Sequence, residues 1–131
     1  FPGATVGEIC RPGYSASRRA VPASLKRQVF VAYGEPRGRF TVDHLIPLEL
    51  GGANLGRDPA TGRVVPTANL WPEPSDGAES AAVKDRLENR LAELVCRGSV
   101  GLALAQRLIA SDWIGAAGWV DERFPPEPRP P

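Results

Sequence analysis

The sequence contains no methionine, one histidine and two cysteines, and these shortages exclude several kinds of site. One His and two Cys cannot supply four zinc ligands, and neither cysteine lies in a C-x-x-C motif. No stretch of about 18 uninterrupted apolar residues occurs, so the sequence predicts no membrane span. The start at Phe1 and the lack of Met predict a processed chain from which a signal peptide has been removed.

Basic and acidic side chains nearly balance in number. The formal net charge is +1 over 131 residues, which is not typical of a strongly basic nucleic-acid binder. The balance is uneven, because residues 1–50 carry seven basic and four acidic side chains, whereas residues 51–131 carry nine and eleven. A surface that binds anions is therefore expected to use the N-terminal half of the chain.

The length and the local composition predict one domain with a modest core. Gly, Pro, Ser and Arg dominate residues 1–21, which we interpret as an extended N-terminal arm, and the tail at 122–131 is rich in proline. Between them, residues 22–121 form the predicted domain.

Within the domain, apolar residues recur at helical spacing over 22–34, 78–97, 100–110 and 112–120, with Ser99 as the expected N-cap of the third helix. Residues 39–44 alternate like a strand, and a short hairpin is expected around "DPATG" in the loop at 53–68. The fold class predicted from these patterns is α+β and mostly helical.

The only histidine, His44, follows Asp43 at the end of the predicted strand, in "FTVDHLIPLELGG" (40–52). Imidazole is the side chain whose ordinary pKa lies closest to neutrality, so His44 is the natural candidate for a general base. A histidine beside an aspartate is also a common structural hydrogen-bonded pair, and the two letters alone do not separate these interpretations.

Further motifs follow in a fixed order: Gly51-Gly52, then "NLWPE" from residue 69, then the helix at 78–97. With "CRPGY" at 10–14 and "AQRLIASDW" at 105–113, they make residues 8–115 resemble HNH-type nucleases, in particular a bacterial branch with the pattern "DHLIPLELGG…NLWPE". The resemblance implies a small ββα-metal (HNH) motif. In it the D-H pair ends the first strand, N-L-x-P forms the second, and the helix completes the site.

That resemblance implies a metal-dependent endonuclease that hydrolyses nucleic-acid phosphodiester bonds with low sequence specificity. His44 would be the general base, Asp43 a ligand of Mg²⁺ or Mn²⁺, and Asn69 the residue that ties the loop carrying the histidine. The implied partner is nucleic acid, DNA in preference to RNA. We expect no appended recognition module and a monomer that does not bind membranes.

The helix of the family usually carries a further His or Asn, which has no obvious counterpart here. A helical wheel centred on Leu87 places Lys84 on the inward side and Glu88 near its border, while Asp85 points nearly opposite. Lys84, as a phosphate-binding charge, and Glu88 are therefore candidate site residues, and Glu79 near the helix start is another candidate oxygen ligand. A solvated charged helix face is the alternative for each.

Basic side chains that precede the motif strand are expected to hold the phosphate backbone beside the site. They are Arg18, Arg19, Lys26, Arg27, Arg37 and Arg39. The alternative is that these exposed charges only increase solubility.

Two other functions fit the sequence. The missing helix ligand and the low net charge favour a catalytically inactive HNH scaffold that acts as a secreted binding module. A nonspecific DNA binder without a metal would instead show steep salt dependence and no effect of chelators.

The two cysteines, Cys10 and Cys96, are either free thiols or one disulfide. The arm around Cys10 has few apolar residues, so burial alone would hold it weakly, and Cys96 lies one residue beyond the apolar pair Leu94 and Val95. Members of the resembling branch often carry both cysteines. We therefore predict a Cys10–Cys96 disulfide and a secreted or periplasmic location.

Overall fold

A computed structural model of the chain describes residues 3–35, 38–77 and 80–126. Its helices are Val6–Ile9 (α1), Ala23–Tyr33 (α2), Ala81–Cys96 (α3) and Leu102–Arg123 (α4). Its strands are Phe40–His44 (β1), Gly56–Arg57 (β2), Val64–Val65 (β3) and Leu70–Pro74 (β4), and single 3-10 turns form at Ala16–Arg18, Leu48–Leu50 and Pro66–Ala68. Helical residues outnumber strand residues, which confirms the predicted α+β class.

Several element boundaries agree with the turn-forming residues in the sequence. Helix α2 begins directly after Pro22 and ends at Gly34, whose φ of +69° is the left-handed conformation that favours glycine. Helix α4 begins after Gly101 rather than after Ser99, so the predicted serine cap is wrong. The backbone N–H of Ser99 instead donates to the carbonyl of Leu94, and this bond closes the end of α3.

The strands form two antiparallel pairs. Strands β1 and β4 pair so that Asp43 lies opposite Trp71 and His44 opposite Leu70. Strands β2 and β3 form the short hairpin expected around "DPATG". Its turn is held by Asp58, whose carboxylate accepts hydrogen bonds from the Ala60 backbone and the Thr61 hydroxyl at 2.9 and 2.6 Å.

The apolar core lies between α3 and α4 and extends to the arm and the turn after β1. Its buried members are Ile9, Leu50, Leu87, Leu91, Leu94, Val95, Val100, Ala105, Ile109, Trp113, Ala116 and Val120. Within the residues described, no helix has both the length and the apolar character needed to cross a membrane.

Helix α4 is interrupted at Asp112, whose φ and ψ of −161° and 83° are not helical. The Asp112 carboxylate accepts a hydrogen bond of 2.9 Å from the backbone N–H of Gly115 and so caps the second half of the helix. Two separate helical segments, as the sequence predicted, therefore meet at this residue.

The N-terminal arm is not extended throughout. Thr5 and Glu8 form a reciprocal capping box that starts α1, and a 3-10 turn follows at Ala16–Arg18. A disulfide joins Cys10 to Cys96 at the end of α3, which confirms the predicted pairing. Closing a loop of 86 residues contributes about 4–5 kcal/mol in the chain-entropy model.

At the C-terminal end, α4 runs to Arg123 into the predicted tail, of which residues 127–131 lie outside the described part.

Candidate functional site

A cleft of about 360 Å³ opens where β1 ends, between the turn that follows it and the first half of α3. Asp43 and His44 form part of its wall, together with Asp85 and Glu88 from α3. The remaining lining residues are Arg19, Val21, Lys26, Val42, Pro47, Leu48, Glu49 and Asn89. The cleft therefore carries acidic groups on the helix side and basic groups from the arm and α2.

Asn69 holds the segment that follows His44. Its side-chain oxygen accepts a hydrogen bond of 2.9 Å from the backbone N–H of Ile46, and its amide nitrogen donates to the carbonyls of Ile46 and Ala53, both at 3.0 Å. Asn69 is 2% exposed, and its amide satisfies three backbone groups of the half-buried residues Ile46 and Ala53. This is the arrangement that a loop-orienting asparagine requires.

The glycine pair after the turn has a steric cause. A Cβ atom on Gly52 would lie 1.8 Å from the carbonyl oxygen of Ile46, and Gly51 has a φ of +81° that side chains disfavour. The backbone N–H of Gly52 donates to the carbonyl of Pro47 at 2.9 Å. Only glycine lets the backbone at residue 52 approach the Ile46 carbonyl this closely.

Lys84 is the centre of a buried polar cluster, the Lys84 cluster, that also contains Asp43, Glu88 and Glu73. The ammonium group, which is fully buried, donates to the Asp43 carboxylate at 2.6 Å, to the backbone carbonyl of His44 at 2.7 Å and to Glu88. An ammonium has three protons, and all three are used. Burial lowers the pKa of Lys84, but the carboxylates of Asp43 and Glu88 outweigh it and raise the pKa above its usual value.

Two carboxyls of the Lys84 cluster retain protons more tightly than ordinary glutamates. Burial raises the pKa of Glu88 to about 7, against the opposing charge of Lys84. Burial and then the negative charge of Asp43 raise the pKa of Glu73 to about 8. Both carboxyl oxygens of Glu73, on β4, are buried beside Asp43, so a retained proton can be donated to the Asp43 carboxylate. Near neutral pH, Asp43 therefore faces one ammonium and a Glu73 that is mainly uncharged.

His44 is anchored on a different side. Its Nε2 atom lies 2.8 Å from the side-chain oxygen of Asn54, whose amide nitrogen donates to the carbonyl of Ala20 at 2.9 Å. The Nδ1 atom has no hydrogen-bond partner among the described residues. His44 is mostly buried and lines the cleft, and of its two ring nitrogens only Nε2 is held by a side chain in the described part of the chain.

The structure brings together only some of the residues that the sequence singled out. Asp43, His44, Glu88 and Lys26 line the cleft, and the buried Lys84 donates hydrogen bonds to the first three of them. Asn69 lies outside the cleft and acts on the loop. Among the expected basic residues, Arg19 also lines the cleft and pairs with Glu49 at 3.7 Å.

Other expected residues do not line the cleft or cannot be placed. Arg27 faces a separate depression on α2, Arg18 stacks on the ring of Tyr14, and Arg39 is exposed before β1. Arg37, an expected phosphate contact, and Glu79, an expected oxygen ligand, lie outside the described residues.

Three residues of the site were not found from the sequence. Asp85 lines the cleft although the helical wheel pointed it away from the core, because the cleft opens at the side of α3 rather than over its apolar face. Burial and the Asp43 charge raise the pKa of Asp85. The roles of Asn54 and Glu73 carried no local signal, since an asparagine in a loop and a glutamate between two prolines are ordinary features.

The carboxylates and the single histidine around the cleft are the groups that could bind a metal ion. In the described ranges, no group of three His, Cys, Asp or Glu side chains converges closely enough to enclose an ion. Mg²⁺ usually keeps several waters and binds through one or two carboxylates and substrate phosphates, so it does not need such a cage. Asp43 is the carboxylate that fits this mode, because Lys84 contacts only one of its oxygens and the side chain is 23% exposed.

Comparison with known proteins identifies no relative of this chain. No family model matches the chain, and neither a curated protein nor a solved structure does. The interpretation of the cleft therefore depends on its own residues and their geometry.

Proposed function

We propose that the cleft beside Asp43 and His44 hydrolyses phosphodiester bonds of nucleic acids, with DNA as the first substrate to test. The observation that carries the proposal is the placement of the two residues. They are neighbours at the end of β1, and both line one cleft, although successive strand residues normally face opposite sides. A single imidazole with one unengaged nitrogen next to a carboxylate is suited to activate a water molecule.

In this proposal His44 takes a proton from the attacking water. The hydroxide oxygen forms a bond to phosphorus, and the bond from phosphorus to the leaving oxygen breaks. The leaving oxygen then takes a proton from solvent, and His44 returns its proton to solvent. The resemblance to HNH nucleases supports this assignment and implies that β1, β4 and α3 form the ββα-metal motif.

A divalent cation, Mg²⁺ or Mn²⁺, belongs to the proposal as its cofactor, with Asp43 as the protein ligand and Glu88 and Glu79 as further candidates from the resemblance. When bound, it would stabilise the negative charge on the phosphate. Lys84 acts here by orienting Asp43. Its three N–H groups already donate hydrogen bonds to protein oxygens. A phosphate contact would require Lys84 to release one of them.

Lys26 and Arg19, both on the cleft wall, are the side chains we propose for contact with the phosphate backbone. The disulfide also supports a secreted or periplasmic location, since oxidising compartments form and preserve such bonds.

The test is cleavage of supercoiled plasmid DNA by the wild type and by His44→Ala, with Mg²⁺, with Mn²⁺ and with a chelator. We expect metal-dependent nicking that falls by roughly 10²–10⁴-fold in His44→Ala. Thermal unfolding of the variant must stay cooperative, because His44 is itself mostly buried. Unchanged cleavage by a folded His44→Ala protein would show that the assignment is wrong.

A second candidate is a catalytically inactive scaffold that binds nucleic acid. It is favoured by the Lys84 ammonium, which already neutralises Asp43, and by the lack of a three-ligand cluster among the described residues. This alternative predicts no nicking with any divalent ion while DNA binding persists. Asp43→Asn tests the ligand role by itself, since it should remove Mn²⁺ binding only if Asp43 is a ligand.

A further inference from the structure

The loop residue Asn54 contacts Ala20 and His44 through the two ends of its side-chain amide. Its amide nitrogen lies 2.9 Å from the backbone carbonyl oxygen of Ala20, and its side-chain oxygen lies 2.8 Å from Nε2 of His44. Ala20 belongs to the N-terminal arm, whereas His44 ends β1. Asn54 therefore connects the arm to the candidate general base.

The orientation of this amide follows from hydrogen-bond chemistry. A carbonyl oxygen carries no proton, so the group of Asn54 that faces Ala20 must be the NH₂ donor. The oxygen of the same amide then faces His44, and an amide oxygen can only accept. Nε2 must therefore carry the proton, and in the neutral imidazole the lone pair is left on Nδ1.

Asn54 is itself held in place by Asn69. The Asn69 amide donates to the carbonyl of Ala53, the residue directly before Asn54, at 3.0 Å. The two asparagines thus act in series, because Asn69 fixes the loop and Asn54 fixes the ring. With both bonds present, rotation of the imidazole would break the contact to Asn54.

We propose that Asn54 is a positioning residue that selects the Nε2–H tautomer of His44 and leaves Nδ1 as the nitrogen that accepts a proton in the cleft. The catalytic part of this inference rests on the proposed function, since only a general base needs a free lone pair. The tautomer itself does not depend on any activity, so the two can be tested separately.

The chain has one histidine, so its ring nitrogens form a single set in a long-range ¹H–¹⁵N NMR spectrum. The spectrum is recorded on the full chain at a pH above which the two ¹⁵N shifts no longer change, so that the ring is neutral. We expect Nε2 to show the shift of a protonated nitrogen and Nδ1 that of an unprotonated one. A protonated Nδ1 in the wild type would overturn the proposal without any variant.

Variants test whether Asn54 is the cause. In Asn54→Ala we expect the two ¹⁵N shifts to move toward each other, because the neutral ring can then exchange between its tautomers. Asn89→Ala is the matched control, since Asn89 lines the same cleft and has no hydrogen bond to His44. Unchanged shifts in Asn54→Ala would overturn the assignment.

If the protein cleaves DNA, Asn54→Ala should lower kcat by roughly 10- to 100-fold with little change in KM, which is less than the loss from removing His44. A shift in tautomer with no cleavage by any variant would uphold the positioning role and reject the hydrolase. Cleavage by the wild type with an unchanged kcat in Asn54→Ala would uphold the hydrolase and reject the positioning role.

Discussion

The two neighbours at the end of β1 are held by opposite kinds of chemistry. Asp43 is held by charge, through the buried ammonium of Lys84 on α3. The imidazole of His44 is held by the neutral amide of Asn54, and Asn69 supports that contact by donating to the carbonyl of Ala53, the residue before Asn54. One side of the site depends on a rigid helix and on buried charges, whereas the other depends on loops and on hydrogen bonds to backbone.

The two sides should differ in how much stability is lost when one partner is removed. Removing one partner of a buried ion pair leaves an uncompensated charge, which costs several kcal/mol. Removing an amide leaves unpaired but uncharged backbone groups, which costs less. The helix side should therefore control the stability of the fold, and the loop side should control the state of the imidazole.

The largest expected effect comes from Lys84→Met, which removes the ammonium but keeps a long side chain. Asp43 and Glu88 lose their shared partner, so we expect the free energy of unfolding to fall by roughly 3–5 kcal/mol in urea titrations. Arg86→Met, at an exposed position on the same helix, should change it by less than about 0.5 kcal/mol. Equal losses in the two variants would mean that the Lys84 cluster is not a stabilising centre.

On the loop side, Asn69→Ala removes three hydrogen bonds to the backbone of Ile46 and Ala53. We expect a loss of roughly 2–3 kcal/mol, and faster hydrogen exchange at the Ile46 amide than in the wild type. Asn89→Ala is the control, because Asn89 is exposed. An unchanged exchange rate at Ile46 would contradict the tie between Asn69 and the loop.

The pH dependence of stability tests the charged side. Glu73 and Glu88 have pKa values of about 8 and about 7 in the folded protein, whereas glutamates in an unfolded chain titrate near about 4.3. Between these values the folded state binds more protons than the unfolded state, so stability falls as pH rises from about 5 to about 8. The raised pKa of Lys84 keeps its own contribution intact throughout this window.

Glu73→Gln should flatten this slope, because a neutral amide replaces a carboxyl that must lose its proton inside the protein. At about pH 8.5 in chelator we expect the variant to be more stable than the wild type by on the order of 2 kcal/mol. The comparison is made by thermal unfolding across pH, with the exposed Glu122→Gln as the control. If stability depended on pH as steeply as in the wild type, Glu73 would not be the group that keeps its proton in the folded state.

The smallest expected effect concerns two adjacent residues of α2. Lys26 lines the cleft and Arg27 faces elsewhere, so Lys26→Glu should weaken DNA binding roughly fivefold and reduce its salt slope by about 0.9, while Arg27→Glu should change affinity by less than about twofold. Binding is measured by fluorescence anisotropy over a salt series. Equal losses would place the phosphate contacts outside the cleft.

Local sequence determined the elements and much of the site's outline. Helical periodicity predicted α2 and α3, Pro22 and Gly34 marked the ends of α2, and β-branched alternation predicted β1. The motif order singled out Asp43, His44 and Asn69, and the two cysteines could pair only with each other. These features depend on neighbouring residues or on residue type, so they can be read without knowing the fold.

Only the tertiary structure decided which side chains meet at β1. The helical wheel correctly turned Lys84 inward, but its partners on β1 lie 41 and 40 residues away in the chain. Asn54 likewise meets His44 through a loop that Gly52 and Asn69 fold back. The charge state of Glu73 likewise depends on its burial beside Asp43, which no local pattern encodes. Burial, long-range hydrogen bonds and the electrostatic field of neighbours arise from packing, and packing is a property of the whole chain.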